Sequence, residues 1–179
     1  MSMLLDLSRL RGGGGRIDRQ DPPEAFESTD QEFRVADPVV LGAEVQKDRE
    51  KVRIVGRLTT ALEVPCSRCL EPYRIAVDTP IDLLYLPAAA QASGAPDDRQ
   101  VSDQDANVSF YEGETIDLAQ LMREQFYLAL PMKPLCREDC QGLCPDCGIP
   151  MATAEPGHRH EKIDPRWAKL ASVLETDDK

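Results

Sequence analysis

The chain has 179 residues, a net charge of -11, 41% hydrophobic residues and 5% aromatic residues. This length allows one domain with a true core, or one domain with a small satellite, and fourteen prolines indicate much loop. Residues 71–135 are the most acidic part, with 4 basic against 11 acidic side chains. The charge disfavours extended contact with nucleic acid phosphates, which depends on many Lys and Arg side chains. The acidic charge is compatible with a basic protein partner. It is equally well explained if it only keeps the protein soluble.

The start of the chain does not favour export. The stretch MSMLLDLSRLRGGGG reaches Asp6 after a few apolar residues, and no run approaches the ~20 apolar residues that cross a bilayer. We therefore expect a cytoplasmic protein with reduced thiols. In that compartment six cysteines are better interpreted as metal ligands than as a disulfide framework, which is the alternative.

Residues 1–36 are predicted to form a flexible N-terminal segment. The RGGGG run and the polar residues after it bury little surface. The glycines lack the Lys and Ser/Thr of a phosphate-binding loop, so we interpret the run as a linker. Residues 3–10 are a candidate short strand that docks on the body.

Residues 37–131 are predicted to form an α+β core. Apolar residues alternate over 39–45, 52–64 and 73–85, with a polar turn at 47–50, which predicts an antiparallel meander. Residues 87–107 contain almost no large apolar side chain and predict a mobile loop. Apolar residues at helical spacing over 118–129 predict a helix packed on the sheet, capped by Asp117 and ended by Pro131.

Residues 132–179 are predicted to form a Cys-rich zinc module with a C-terminal helix. That helix has Asp164 as its cap, Pro165 at its first position and a stripe containing Trp167. We expect it to close the core, because an isolated helix of about ten residues is marginal in water; the alternative is a helix that waits for a partner.

The cysteines occur in three close pairs, of which the last, in CPDCG, is the most specific. Its proline sets a tight turn, and its glycine permits a positive φ, so backbone amides point at the thiolates as in a zinc knuckle. Structural zinc is tetrahedral and takes four sulfur or imidazole ligands. With the only two histidines, the six cysteines make eight ligands, enough for two ions.

The preferred arrangement has two structural Zn²⁺ sites. One combines the pair at the turn between two strands with the first pair after the helix: Cys66, Cys69, Cys136 and Cys140. The other combines the knuckle with the two histidines: Cys144, Cys147, His158 and His160. The histidines need a turn between them, because side chains at i and i+2 of a strand point to opposite faces. The alternative is one four-cysteine site.

No catalytic residue stands out. Cysteines that hold a metal are not free nucleophiles, and no third, orienting group can be identified. Strands flank Cys66 and Cys69, whereas a thioredoxin-like pair opens a helix in a βαβ unit. A radical-enzyme iron–sulfur site at Cys140, Cys144 and Cys147 would need a large barrel after it, and only 32 residues follow. We expect a protein that is not an enzyme, with a small thiol redox enzyme as the alternative.

Four stretches together resemble one family. They are VPCSRCLEPY, IDLAQLMREQFYLALPMKPLC, DCQGLCPDCG and DPRWAKLASVL, in this order within residues 38–174. They are similar to the YceD family, described as large ribosomal RNA subunit accumulation proteins. The resemblance implies a bacterial or organellar ribosome-biogenesis factor that supports 23S ribosomal RNA without catalysis. The family varies in its cysteines, which makes zinc a stabilising device, and HRH stands here where cysteines are expected in metal-rich relatives.

The acidity bears on the partner that such a role requires. We expect a basic large-subunit ribosomal protein or an rRNA-processing factor, with ribosomal RNA contacted indirectly. Direct RNA binding is the alternative and would need a local basic patch, for which the candidates are Arg49, Lys51, Arg53 and Arg57. An ordinary solvated strand face is the plainer interpretation of that patch.

Overall fold

The fold is α+β, with a mixed sheet, a small second sheet and a helix. It is taken from a computed structural model that describes residues 3–10, 13–26, 32–89 and 107–160. The predicted C-terminal helix around Trp167 and most of the predicted loop at 87–107 lie outside these residues. Within them, no helix has the length and apolar character needed to cross a bilayer.

The strands fall into two sheets. Their bounds are β1 (Leu4–Asp6), β2 (Gly14–Asp21), β3 (Arg34–Val35), β4 (Val39–Asp48), β5 (Lys51–Pro65), β6 (Pro72–Pro87), β7 (Val108–Tyr111) and β8 (Thr115–Asp117). The main sheet has the order β2-β4-β5-β6-β7, with β3 also paired to β5, and β1 pairs with β8. One helix, α1, spans Leu118–Ala129, and 3₁₀ turns occupy Leu7–Arg9 and Pro23–Phe26.

The long hairpin of β5 and β6 is the frame of the main sheet. Its register is continuous from Val52 opposite Tyr85 to Pro65 opposite Pro72. Because side chains alternate along a strand, Ile54 and Leu58 are buried on the face toward α1. The hairpin turns at residues 66–71, which places the first cysteine pair at its tip, as predicted.

Strand β7 corrects the predicted antiparallel meander. It lies parallel to β6, with Leu84 opposite Val108 and Pro87 opposite Tyr111. Parallel neighbours need a crossover connection of about a dozen residues or more. Residues 88–107 supply that length, so the sheet is mixed rather than wholly antiparallel.

The predicted flexible lead-in, and the linker interpretation of the glycine run, are wrong where strand β2 begins at Gly14, inside that run. β2 pairs with β4 over eight residues, from Gly14 opposite Gln46 to Asp21 opposite Val39. The segment also contributes to the core, because Leu7 and Phe26 are buried. Strand pairing satisfies backbone groups whatever the side chains are, so an edge strand forms here with very few apolar residues.

Helix α1 covers the inner face of the main sheet and follows its predicted bounds. The carboxylate of Asp117 accepts hydrogen bonds from the amides of Ala119 (2.8 Å) and Gln120 (3.2 Å), as expected of an N-cap. The buried ring of Phe126 packs edge-on against Phe26 and Phe33, with centroids 5.5 and 6.0 Å away. The other large side chains of this core include Leu41, Ile54, Leu58, Leu62, Ile81, Ile116, Leu121 and Met122.

Candidate metal centre

The first candidate site, called the hairpin site, forms where the β5–β6 tip meets the chain after α1. The tip closes through hydrogen bonds from the Leu70 amide to the Cys66 carbonyl (2.9 Å) and from the Cys66 amide to the Glu71 carbonyl (3.0 Å). The Ser67 amide then donates to the Pro134 carbonyl at 2.8 Å. These contacts hold the two cysteine pairs of the site against each other. Its members are Cys66, Cys69, Cys136 and Cys140.

The four sulfur atoms of the hairpin site have the spacing of a tetrahedral zinc site. All lie within 4.8 Å of one another, with 3.8 Å between Cys66 and Cys140 and 3.7 Å between Cys69 and Cys136. Zinc–sulfur bonds of about 2.3 Å in a tetrahedron place sulfurs about 3.8 Å apart. A disulfide needs about 2.05 Å. All six cysteines are free, so the disulfide alternative does not describe this fold.

The second candidate site, called the knuckle site, begins with a turn of the predicted kind. The Cys144 amide donates to the Ile149 carbonyl at 2.8 Å, and the Gly148 amide donates to the Cys144 carbonyl at 2.9 Å. Gly148 has a φ of 73°, which residues with a side chain rarely adopt. The turn brings Cys144 and Cys147 onto one side of the loop.

A second turn brings both histidines to the knuckle. The His158 amide donates to the Glu155 carbonyl at 3.0 Å. The Nε2 atom of His158 lies 3.3 Å from the sulfur of Cys147 and 3.1 Å from Nε2 of His160. Nitrogen ligands at about 2.1 Å from zinc would lie about 3.4 Å apart. The eight predicted ligands therefore fall into the two predicted sets of four, and zinc binding itself stays a prediction.

Backbone amides favour the thiolate form of one buried cysteine in each site. The amide of Cys69 above all, and also those of Cys136 and Arg68, lower the pKa of Cys66 to about 6. The amides of Cys147 and Asp146 lower the pKa of Cys144 to about 6. The thiolate is the form that binds a metal, so both turns are shaped to receive one.

Arg68 is a contributor to the hairpin site that sequence reasoning missed. Its amide points at the sulfur of Cys66 (3.5 Å), and its guanidinium donates to the carbonyl of Cys140 (2.7 Å). The Leu143 amide donates to the Arg68 carbonyl at 3.2 Å, so this residue also connects the two sites. Its position inside a C-x-x-C pair was visible, but its partners about 70 residues away were not.

The candidate basic patch is half neutralised. Arg53 forms a two-pronged ion pair with Asp82, at 2.8 and 2.7 Å, and Arg57 lies 2.5 Å from Asp78. Arg49 lies in the β4–β5 turn, and Lys51 begins β5. The outer face of the sheet therefore presents alternating charges rather than a run of free cations.

A family model described as "Large ribosomal RNA subunit accumulation protein YceD" matches residues 54–174. The chain belongs to the YceD family. The matched range includes all eight candidate ligands, β5 from Ile54 onward, β6 and α1. The resemblance noticed in the sequence is thereby confirmed.

Several relatives of this YceD-family chain can be compared with it. An uncharacterized protein of Mycobacterium tuberculosis is 42% identical over 134 residues, covering 75% of this chain and 61% of that protein. A chloroplastic large ribosomal RNA subunit accumulation protein YCED homolog 1 of Zea mays is 24% identical over 136 residues, covering 65% and 46%. The chain thus spans about three fifths of the mycobacterial relative's length. No solved structure matches the chain.

Proposed function

We propose that this protein supports the accumulation of large-subunit ribosomal RNA in the cytoplasm without catalysing a reaction. The description of its family and the name of the Zea mays relative support the role. Each candidate site offers four protein ligands. Four ligands would fill the tetrahedral coordination of a zinc ion and leave no open position for a substrate or a water molecule. Such closed sites are typical of structural metal, not of catalytic metal.

The observation that carries the choice of partner is the pairing of the sheet's arginines. Arg53 and Arg57 are held by carboxylates of β6, and Arg34 pairs with Glu63. RNA binding rests on cations that release counterions from phosphates, and a paired arginine contributes less to that release. With a net charge of -11, the chain suits a basic large-subunit ribosomal protein or a processing factor.

The zinc ions in this proposal are structural. One ion in the hairpin site would fasten the β5–β6 tip to the chain after α1. A second ion in the knuckle site would fix the loop that contains Cys144 and His158. A bound Zn²⁺ stabilises a fold by its binding free energy, because the unfolded chain holds no preformed site.

The cellular role is tested by removing the chain from its source cells. The ratio of large-subunit to small-subunit ribosomal RNA should fall, and the full-length chain supplied on a plasmid should restore it. An unchanged ratio in the deleted strain would contradict the proposal.

The partner is tested by a pulldown of the tagged chain, with and without nuclease. A basic large-subunit protein or processing factor should remain bound after the nuclease. If every ribosomal component leaves with the RNA, direct RNA binding is the better account. A matched sample of the chain treated with a zinc chelator shows whether the intact sites are needed.

A further inference from the structure

A cleft of about 590 Å³ lies between the β6–β7 edge of the main sheet, β8 and the first turns of α1. We call it the acidic cleft. Its chemistry comes from three aromatic rings and three carboxylates: Tyr85, Phe110, Tyr111, Glu112, Asp117 and Glu124. The volume is within the range of about 300–1,000 Å³ that is usual for binding pockets.

Within the described ranges, the carboxylates of the acidic cleft have no cation of their own. Among the described residues, no Lys, Arg or His lines the cleft, and Glu112, Asp117 and Glu124 form no ion pair. On the outer sheet face, by contrast, Asp78 and Asp82 each have an arginine. As far as the structure describes the chain, the cleft therefore has an uncompensated negative potential.

Tyr85, a mostly buried residue, adds a polar group to the wall of the cleft. Tyr85 is only 6% exposed and lines the cleft. Within the described part of the chain its hydroxyl has no hydrogen-bond partner, and since no fully buried side-chain oxygen there lacks one, the hydroxyl is open to the cleft. Burial raises the pKa of Tyr85, and the charges of Glu124 and Asp117, which line the same cleft, raise it further. Its oxygen can accept a hydrogen bond from a ligand that enters between them.

The arrangement suits neither a metal ion nor an anion. In the described residues, the close ligand clusters are the two that contain the cysteines, so the three carboxylates of the cleft do not converge on one ion. The amides of Ala119 and Gln120 already donate hydrogen bonds to the Asp117 carboxylate. They are therefore not available to bind an anion at the N-terminus of α1. Aromatic rings beside spread carboxylates favour a long organic cation, which can contact ring faces and acids together.

We propose that the acidic cleft binds an arginine or lysine side chain from an extended basic segment of the partner protein. The cation would lie between Glu124 and Asp117, with its apolar stem against Phe110. The identity of the partner rests on the proposed function, whereas binding of a basic peptide by the cleft does not.

The test measures fluorescence anisotropy of a labelled peptide with alternating glycine and arginine. A peptide with citrulline, the neutral analogue of arginine, is the matched ligand control. Glu124→Gln should weaken binding at least about fivefold, since a charge-assisted contact is lost. Glu44→Gln removes another exposed carboxylate, on the outer face of β4, and should change affinity by less than about twofold, because distant exposed charges are screened.

Several outcomes would overturn the proposal. These are failure of the arginine peptide to bind, equal binding of the citrulline peptide, or equal losses in Glu124→Gln and Glu44→Gln. Thermal unfolding checks that each variant is folded, and Phe110→Ser provides a second variant on an exposed position. Tighter binding of a labelled single-stranded RNA, lost in the same variants, would also count against a protein partner.

The cleft and the proposed function can fail separately. If Glu124→Gln loses the peptide but retains the basic partner in the pulldown, the cleft is not the docking site and the cellular role stands. If the chain proves unnecessary for the accumulation of large-subunit ribosomal RNA, the proposed role is contradicted. Binding of the basic peptide by the cleft would still stand.

Discussion

Cys66 and Cys140 are 74 positions apart in the sequence, and their sulfur atoms lie 3.8 Å apart. The first is at the tip of the long hairpin, and the second follows α1. Both are buried, in contrast to the exposed Cys136 and Cys147. The hairpin site therefore joins the far end of the sheet to the C-terminal part of the chain.

Metal content is the first prediction. The purified chain should contain two zinc ions, and Cys66→Ser or Cys147→Ser should each remove one, because a tetrahedral site that loses a thiolate is incomplete. Elemental analysis by mass spectrometry measures the stoichiometry. Ser67→Ala, a change of an exposed side chain inside the same tip, is the control and should retain both ions. One ion in the native chain would support the single-site alternative, and none would contradict both.

The two sites should differ in their effect on stability. The hairpin site joins residues 67 to 74 positions apart, whereas Cys147 and His158 are 11 apart. Loop-closure entropy alone makes the longer connection worth about 1.5 kcal/mol more. Loss of the hairpin site should lower the unfolding temperature by about 3–6 °C more than loss of the knuckle site.

Calorimetry of Cys66→Ser and Cys147→Ser, each with its residual zinc measured, checks this difference. A larger decrease of the unfolding temperature in Cys147→Ser than in Cys66→Ser would show that the hairpin site is not the more stabilising of the two. The unfolding temperature of the native chain with a chelator gives the lower limit, because both sites are then without zinc.

Gly56→Ala should lower the free energy of unfolding by about 2–3 kcal/mol, because a forced contact must be relieved by shifting backbone. A Cβ at Gly56 would lie 2.2 Å from the carbonyl oxygen of Gly42 on the neighbouring strand. Gly42→Ala is the control, since its Cβ would meet only a carboxylate oxygen of Asp18 at 3.7 Å. Denaturant titration compares the two, and equal stabilities would contradict the predicted clash.

Freeing the paired arginines should increase weak RNA binding. In Asp78→Asn with Asp82→Asn, Arg57 and Arg53 lose their carboxylates. Two added phosphate contacts would steepen the dependence of log affinity on log salt by about 1.4 for a single strand. Filter binding of a labelled RNA over a range of salt concentrations measures the slope. No change would show that the pairing does not restrain these arginines.

Tyr85 should ionise later than an ordinary tyrosine. Burial, then Glu124 and Asp117, raise the pKa of its phenol above the usual value of about 10. The folded state therefore favours the protonated form, and stability should fall as pH rises above about 10, where the unfolded phenol ionises. Absorbance at alkaline pH follows the tyrosines, and Tyr85→Phe should remove a late step. An unchanged titration curve would contradict the burial of this phenol.

Local patterns predicted the hairpin and α1 well, because alternation and capping are properties of adjacent residues. Asp117 and Pro131 bounded the helix, and CPDCG indicated the turn at Cys144. The grouping of the ligands could be proposed from the number that zinc needs, without knowledge of the fold. Strand β7 could not be oriented in this way, because a long connection permits either direction.

Features assembled from distant elements left no pattern to find. The β2 strand depends on backbone pairing with β4, and Ile17 is its one buried large apolar residue. Tyr85, Phe110 and Glu124 come from two strands and a helix, and each alone is an ordinary residue of its element. The guanidinium of Arg68 likewise acquires its partners only from the chain after α1.

The separation of the hairpin-site thiols also sets an order in time. Cys66 leaves the translating ribosome 74 residues before Cys140, a delay of about 4 to 15 s at synthesis rates of about 5–20 residues per second. During that interval the first two thiols stand without their partners at the end of a newly made hairpin. The four sulfurs of the hairpin site can thus meet only late in synthesis, after Cys140 has emerged.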